Sequence, residues 1–354
     1  MKVLGVFIIV LLIIVFLLAV FGFTVTKVMF RMSYRSFQID PVSPMKHYED
    51  YRDKYPREIV HFLSGKHMLQ GYMYGNPKSA RALIVFSHGI WSGPEEYMVL
   101  ITWFLDRNYA VFTYDYTGYN GSEGNSANGL PQSPLDQNAA LDYVESVKEW
   151  EHLKILTLGH SWGAYATTAG LNFDHRVVAA CGMSGFNDPI KISVETAKMM
   201  LGPIGALNRP WIWILDRIRF PKYHRLTAVS GINHANIPVL LTHGRGDDFI
   251  RYDISSIVCK KDEIKNPKLR IHTIEEPGHY SHTDFFLSLE AAEYMAEITG
   301  NYEKLKKQYK KGIVPQDVKK AFFDKVDKDR ANAPAEEFFE VIDHFYREAL
   351  ENTD

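Results

Sequence analysis

The first strong pattern along the chain is an unbroken run of uncharged, apolar residues from Val3 to Phe23. As a helix this run would be roughly 30 Å long, the thickness of a bilayer's hydrocarbon core. Secretory signals usually have a shorter apolar stretch and a small-x-small cleavage site. The segment Leu17-Leu18-Ala19-Val20-Phe21-Gly22-Phe23 offers no convincing one. The pattern predicts a single uncleaved transmembrane signal-anchor over residues 1–26. A charged tether containing Tyr and Pro follows over 27–56, with a short packing helix. The positive-inside count, Lys2 against Lys27, Arg31 and Arg35, slightly favours a cytoplasmic domain. A Met-Lys start running straight into the apolar stretch favours delivery outside, so the extracytoplasmic face is the expected location.

From Arg57 the period changes. Two strand-like runs, 58–63 and 68–74, flank the turn Ser64-Gly65-Lys66-His67 and predict a hairpin. Short apolar runs then alternate with helical patterns. Strands are expected at 82–87, 109–114, 154–158, 177–183, 237–242 and 269–274, and helices at 95–106, 134–150 and from 164. Continuous apolar strands alternating with helices predict an α/β class, with a mostly parallel sheet covered by helices on both faces. The alternation stops between Pro189 and Ser230, a stretch rich in Met, Trp and Ile. This predicts a helical cap at about 189–230, inserted into a domain spanning 57–354. Its aromatic and Met content suits an acyl-binding wall, although plain helix packing on the core would use the same residues. Near the C-terminus, Phe338, Phe339, Val341, Ile342, Phe345 and Tyr346 share one face of a helix over 335–350, which should pack on the sheet.

Composition narrows the chemistry. The chain has 354 residues, 46% hydrophobic and 23% charged, with a formal net charge of -2. That is globular, and no basic stripe with interleaved aromatics points to nucleic acid. The basic run Lys304–Lys311 reads as a solvated face, or as one close to an anionic bilayer. The two cysteines, Cys181 and Cys259, allow at most one bridge. Neither C-x-x-C nor H-E-x-x-H occurs, so no metal is expected, and no cofactor.

The candidate chemistry sits at strand ends. Gly159-His160-Ser161-Trp162-Gly163 follows the apolar run ending at Leu158 and leads into a helical pattern. Strand, sharp turn and helix are the setting of the G-x-S-x-G nucleophile elbow. Serine needs an adjacent base, and the base needs an orienting group. Acidic residues and histidines follow in the required order. His243-Gly244-Arg245-Gly246-Asp247-Asp248 comes after one predicted strand, and Gly278-His279 after the next. Open α/β sheets bind ligands at the carboxyl ends of their strands.

With these motifs in order, the chain resembles the α/β-hydrolase superfamily over roughly residues 57–350. Its style is nearest to the serine aminopeptidase and monoacylglycerol-lipase-like branch. Ser87-His88-Gly89-Ile90-Trp91 is similar to that family's H-G oxyanion segment, and Asp115 to Gly124 to its D-x-R-G-x-G-x-S-x-G loop. The loop departs from the pattern at Thr117, where the family has Arg, and at Asn120, where it has Gly. The resemblance implies Ser161 as nucleophile, His279 as general base and Asp247 as its orienter. The backbone N–H groups of Ile90 and Trp162 would form the oxyanion hole, with Trp91 at the substrate. Asp248 competes with Asp247, whose spacing to His243 and Ile250 fits better. His282 competes with His279, but it lacks a preceding glycine and is expected inside the following helix. His160 is expected to pack beneath the turn.

The function these residues imply is a membrane-anchored serine hydrolase cleaving an ester of a lipophilic or small acyl substrate. Amide or short-peptide hydrolysis and acyl transfer would use the same three residues. A non-catalytic binding protein on this fold is the contrasting class.

Overall fold

The computed structural model describes residues 2–352. It opens with α1 (Lys2–Ser33), longer than the predicted anchor. Most side chains from Val3 to Phe21 project free of the rest of the protein. Beyond them the helix continues through seven residues assigned from sequence to the tether. Thr26, Phe30 and Tyr34 recur every four residues and are buried, whereas Lys27 and Arg31 are exposed. That spacing places the three on one helix face, so tertiary packing extends the helix past its apolar run. Phe30 and Tyr34 belong to the same core cluster as the central sheet.

The sheet is built from a hairpin, β1 (Arg57–Ser64) and β2 (His67–Tyr74), then β3 (Leu83–Ser87). A 3-10 turn at Pro94–Tyr97 leads into α2 (Met98–Leu105), and β4 (Ala110–Tyr114), α3 (Gln132–Ser146), β5 (Ile155–His160), α4 (Trp162–Ala169) and β6 (Val177–Met183) follow. The stretch expected to form a cap comes next, as α5 (Pro189–Leu201), a 3-10 stretch Gly202–Asn208 and α6 (Arg209–Arg219). The chain returns through α7 (Ala228–Ala235), β7 (Val239–Gly244) and β8 (Leu269–Ile274), and ends with α8 (Leu289–Lys306), α9 (Gln316–Phe323), α10 (Lys328–Ala331) and α11 (Glu336–Glu351).

The eight strands lie in the order β1-β2-β4-β3-β5-β6-β7-β8. The β1–β2 and β2–β4 pairs are antiparallel, and the other pairs are parallel. Side chains alternate between two cores, as the two-residue period requires. Leu83 and Val85 face the core under α3, α4 and α7, while Ile84 and Phe86 face the core under α2 and α11. The apolar face read from the last helix packs as expected, and the Tyr346 hydroxyl donates to the Thr157 carbonyl of β5 at 2.8 Å. Cys181 and Cys259 are free thiols, so the bridge left open by sequence does not form.

Candidate active site

Ser161 occupies the turn between β5 and α4 with φ 58° and ψ -115°. A positive φ at a non-glycine residue costs about 1–3 kcal/mol and persists only where the surroundings enforce it. Here the Ser161 N–H donates to the Met183 carbonyl at 2.8 Å, and its carbonyl accepts from Tyr165 N–H at 3.1 Å. The flanking glycines are steric necessities. A Cβ on Gly159 would lie 2.1 Å from the Gly163 carbonyl oxygen, and one on Gly163 would lie 1.9 Å from that of Ser87. The elbow is thereby pressed against the segment that carries His88 to Trp91. We expect Gly163→Ala to destabilise the fold by ~3 kcal/mol through overpacking. It should also lower turnover on the order of a hundredfold by displacing the serine. Thermal unfolding and steady-state kinetics on one preparation check both.

Asp247 is buried in the bend after β7. One carboxylate oxygen accepts from the backbone N–H groups of Phe249 at 2.9 Å and Ile250 at 2.8 Å. The other lies 2.7 Å from His282 Nδ1 and 3.1 Å from His243 Nε2. Burial by itself would raise this carboxyl's pKa. The hydrogen bonds from His243 and His282, with the imidazole charge, outweigh it and hold the group well below the usual carboxylate range. Asp248, its sequence competitor, is exposed.

The third member differs from the sequence expectation. His282 Nε2 lies 2.9 Å from Ser161 Oγ, so His282 occupies the position between serine and carboxylate. His279 sits elsewhere, its Nδ1 3.5 Å from Glu276 Oε2, in the turn after β8. The reason is local. The stretch 279–283 is irregular, and α8 begins only at Leu289, capped by the Ser288 hydroxyl, which accepts from Ala291 N–H. His282 therefore lies on a loop, not in the helix expected for it. The helix-start signal of Ser288 before an apolar periodic stretch is the sequence feature that would have left it there.

A second hydrogen-bond chain lies under the turn. The Tyr97 hydroxyl accepts from Gly89 N–H at 3.1 Å and lies 2.7 Å from His160 Nδ1. His160 Nε2 lies 2.9 Å from the His282 carbonyl oxygen. Burial, reinforced by the neighbouring His282, pushes the His160 pKa down to about 3, so the ring is neutral at physiological pH. A neutral ring with its proton on Nε2 satisfies both contacts. This histidine ties the Gly89 segment, the elbow and the His282 loop together, a role its position in the motif did not reveal.

The departures from the family loop also find uses. Asn120 adopts φ 41°, a left-handed conformation asparagine tolerates. Its amide donates to Asp115 at 3.0 Å and to the Ser92 carbonyl at 3.3 Å, which supports the segment around Trp91 from below. Thr117 binds buried Asp136 through both its N–H and its hydroxyl, each at 2.9 Å. Burial pushes the Asp115 carboxyl from 3.8 up to about 6, against hydrogen bonds from Tyr72, Asn120 and Gly121. The folded chain thus holds this proton more tightly than the unfolded chain. The corresponding stability is full below the ordinary carboxylate range and is lost as pH rises through about 6. Asp115→Asn removes this dependence. The stability difference, wild type minus variant, should fall by roughly 2 kcal/mol between pH 4 and 7, measured by denaturant unfolding.

Ser161 opens into a cavity of about 560 Å³, within the range of small-molecule sites. Ile90, Trp91 and Trp162 line it beside the serine, as do Leu130, Phe186 and Ile212. Trp162 is the first residue of α4, so its backbone N–H has no intrahelical partner. Trp91 is half-exposed at φ 53°, and its indole N–H donates to the Ser33 carbonyl at 2.9 Å. Met29, Phe30, Met32 and Ser33 of α1 also line the cavity, a contribution absent from the sequence reading. Among the described residues no cluster of His, Cys, Asp and Glu with metal-binding geometry occurs.

Sheet order, elbow and a Ser–His–Asp chain define a class. A sequence profile described as the alpha/beta hydrolase family matches residues 84–296, and the chain belongs to that family. This membership bears out the resemblance to the α/β-hydrolase superfamily expected from the motifs. Among curated proteins, an uncharacterized protein of Salmonella typhi, YfhR, is 27% identical over 187 residues, 51% of this chain and 60% of that protein. The chain thus matches under two thirds of that relative's length. Among solved structures, a Pyrococcus furiosus esterase is similar with a TM-score of 0.53 at 17% identity, covering 77% of this chain and 98% of that one. Est1E from Butyrivibrio proteoclasticus, with ferulic acid bound, gives 0.50 at 17% identity over 68% of this chain and 98% of that one. At such identities the likeness is one of fold.

Proposed function

We propose that this protein is a membrane-anchored serine hydrolase that cleaves esters of lipophilic acyl groups through an acyl-enzyme intermediate. The observation that carries the reading is the chain Asp247–His282–Ser161, opening into a largely apolar cavity. In this mechanism Ser161 Oγ attacks the ester carbonyl carbon while His282 Nε2 takes its proton. Asp247 holds the imidazole with its proton on Nδ1 and stabilises the imidazolium. The carbonyl's electron pair moves to oxygen, where the N–H groups of Trp162 and Ile90 receive it, each worth on the order of 3 kcal/mol. The pair returns, the carbon–oxygen bond to the alcohol breaks, and His282 gives its proton to the departing oxygen. Water then repeats the cycle, its proton passing through His282 back to Ser161. Trp91, at the cavity edge, contacts the substrate.

Retention of α1 is part of the proposal. A cleaved signal sequence can be as apolar as this helix. The burial of Thr26, Phe30 and Tyr34 in the folded domain supports an anchor that stays attached. The domain's proposed location is the extracytoplasmic face, which labelling intact cells with a membrane-impermeant fluorophosphonate reads directly.

The test of the activity uses the full chain in detergent micelles, with a fluorophosphonate probe and p-nitrophenyl butyrate. Wild type is expected to label and to hydrolyse the ester, and Ser161→Ala to do neither. Folded wild type that neither labels nor hydrolyses, or Ser161→Ala that does both, would overturn the assignment.

A further inference from the structure

The last three turns of α1 are built into the domain. A Cβ on Gly22 would lie 2.5 Å from the Trp211 indole nitrogen, and Phe23 meets the Trp211 ring edge-on at 6.1 Å. The Thr26 hydroxyl donates to Asn208 Oδ1 at 2.8 Å inside the protein. Tyr34 reaches Ser193 of α5 at 3.4 Å. These contacts fix the cap relative to the helix. When the exposed apolar stretch from Val3 to Phe21 spans the hydrocarbon, the cap must then lie at the membrane surface. Tryptophan favours that level, and Lys27, Arg31 and Arg209 are exposed there for lipid phosphates.

The cap surface matches this placement. Ile204 is 67% exposed and Leu207 75% exposed, on the 3-10 stretch that ends at Asn208. Water-facing aliphatics this bare, beside a membrane helix, mark a membrane-facing patch. The patch continues to the cavity through Met199 and Met200 of α5, which line it together with Met32 of α1 and are themselves exposed. Methionine is flexible and suits contact with mobile acyl chains.

We propose that the cavity takes its substrate, a long-chain acyl ester, directly from the bilayer, with α1 as one wall of the acyl site and the Ile204–Leu207 face of the cap seated in the lipid. This rests on the serine-hydrolase reading above and adds the substrate's source and the role of the anchor.

The experiment compares full-length protein in vesicles of phosphatidylcholine and phosphatidylglycerol, acting on membrane-dissolved 4-methylumbelliferyl oleate, with the same protein in micelles acting on the butyrate ester. Ile204→Glu/Leu207→Glu is expected to slow vesicle oleate hydrolysis about tenfold or more, with butyrate hydrolysis unchanged. Met29→Trp, which fills the cavity from α1, is expected to lower the oleate-to-butyrate rate ratio about tenfold. Wild type that cleaves butyrate but leaves vesicle oleate intact would overturn this inference and leave the hydrolase reading standing. Wild type inert to butyrate and to the phosphonate would overturn both. An unchanged rate ratio in Met29→Trp removes α1 from the acyl site and so overturns the inference. A Glu double variant that keeps the vesicle rate overturns it as well, whether or not light scattering shows that the variant splits a dimer through this face.

Discussion

Replacing His282 with Ala is expected to lower kcat/KM for a short ester on the order of 10⁴-fold, about 5.5 kcal/mol of transition-state stabilisation. His279→Ala should stay within about threefold of wild type, because its ring sits on Glu276 and neither Ser161 nor Asp247 is its partner. The His282 variant loses the acceptor for the serine proton, and fluorophosphonate labelling should slow in step. A residual rate above water would persist from the N–H donors and the cavity. Parallel kinetics on the two variants decide between the histidines. The reverse result would place the base on the Gly278–His279 turn after all.

That pair of histidines shows where sequence reading stops. The serine was legible because its requirements are local. A strand, two glycines that cannot carry a Cβ and a helix must follow one another in the chain, and each leaves a residue-type signature. The aspartate was nearly as legible, since Asp247 bonds Phe249 and Ile250 within three residues of itself. The histidine is different. Its position depends on the path of a loop with no regular hydrogen-bonding pattern, between β8 and a helix start at Ser288. A glycine before His279 was a plausible turn signal, and Gly278 does adopt φ +91°. The turn it makes carries the chain on for three more residues before a side chain reaches the serine.

The N-terminal helix α1 teaches the complementary lesson. Its apolar run is unmistakable, but the helix runs on to Ser33, because residues 24–35 mix polar and apolar side chains that pack only in the folded domain. Their four-residue spacing becomes meaningful only when the cap lies against them. Long-range contacts such as Thr26 with Asn208 and Trp91 with Ser33 leave no trace in local pattern. The mostly parallel, two-sided sheet, by contrast, followed from continuous apolar strands alternating with helices, because burial on both faces is written into each strand separately; the order of its strands did not.

The second large effect is expected from Asp247→Asn. The oxygen of Asp247 that faces the backbone accepts from two N–H groups, so only an oxygen fits there. The asparagine carbonyl must take that place, which turns the NH₂ toward His282 Nδ1. The imidazole then has to present a lone pair at Nδ1 and carry its proton on Nε2, and it donates to Ser161 instead of accepting. We expect a loss on the order of 10⁴-fold in kcat/KM with the side chain's shape preserved. Asp248→Asn should change little, since Asp248 is exposed. Stability carries a separate sign. The carboxyl of Asp247 is held below its ordinary value of 3.8, so its ionised form stabilises the fold above that pH, and the contribution is lost as pH falls below it. Asn lacks this contribution. The difference in Tm between wild type and Asp247→Asn should therefore be widest near neutrality and narrow in acid, opposite in direction to the behaviour expected of Asp115. Unfolding curves of the two variants across the same buffers test that contrast. A parallel pH trend in both would mean that one of the two carboxyls does not have the surroundings described for it.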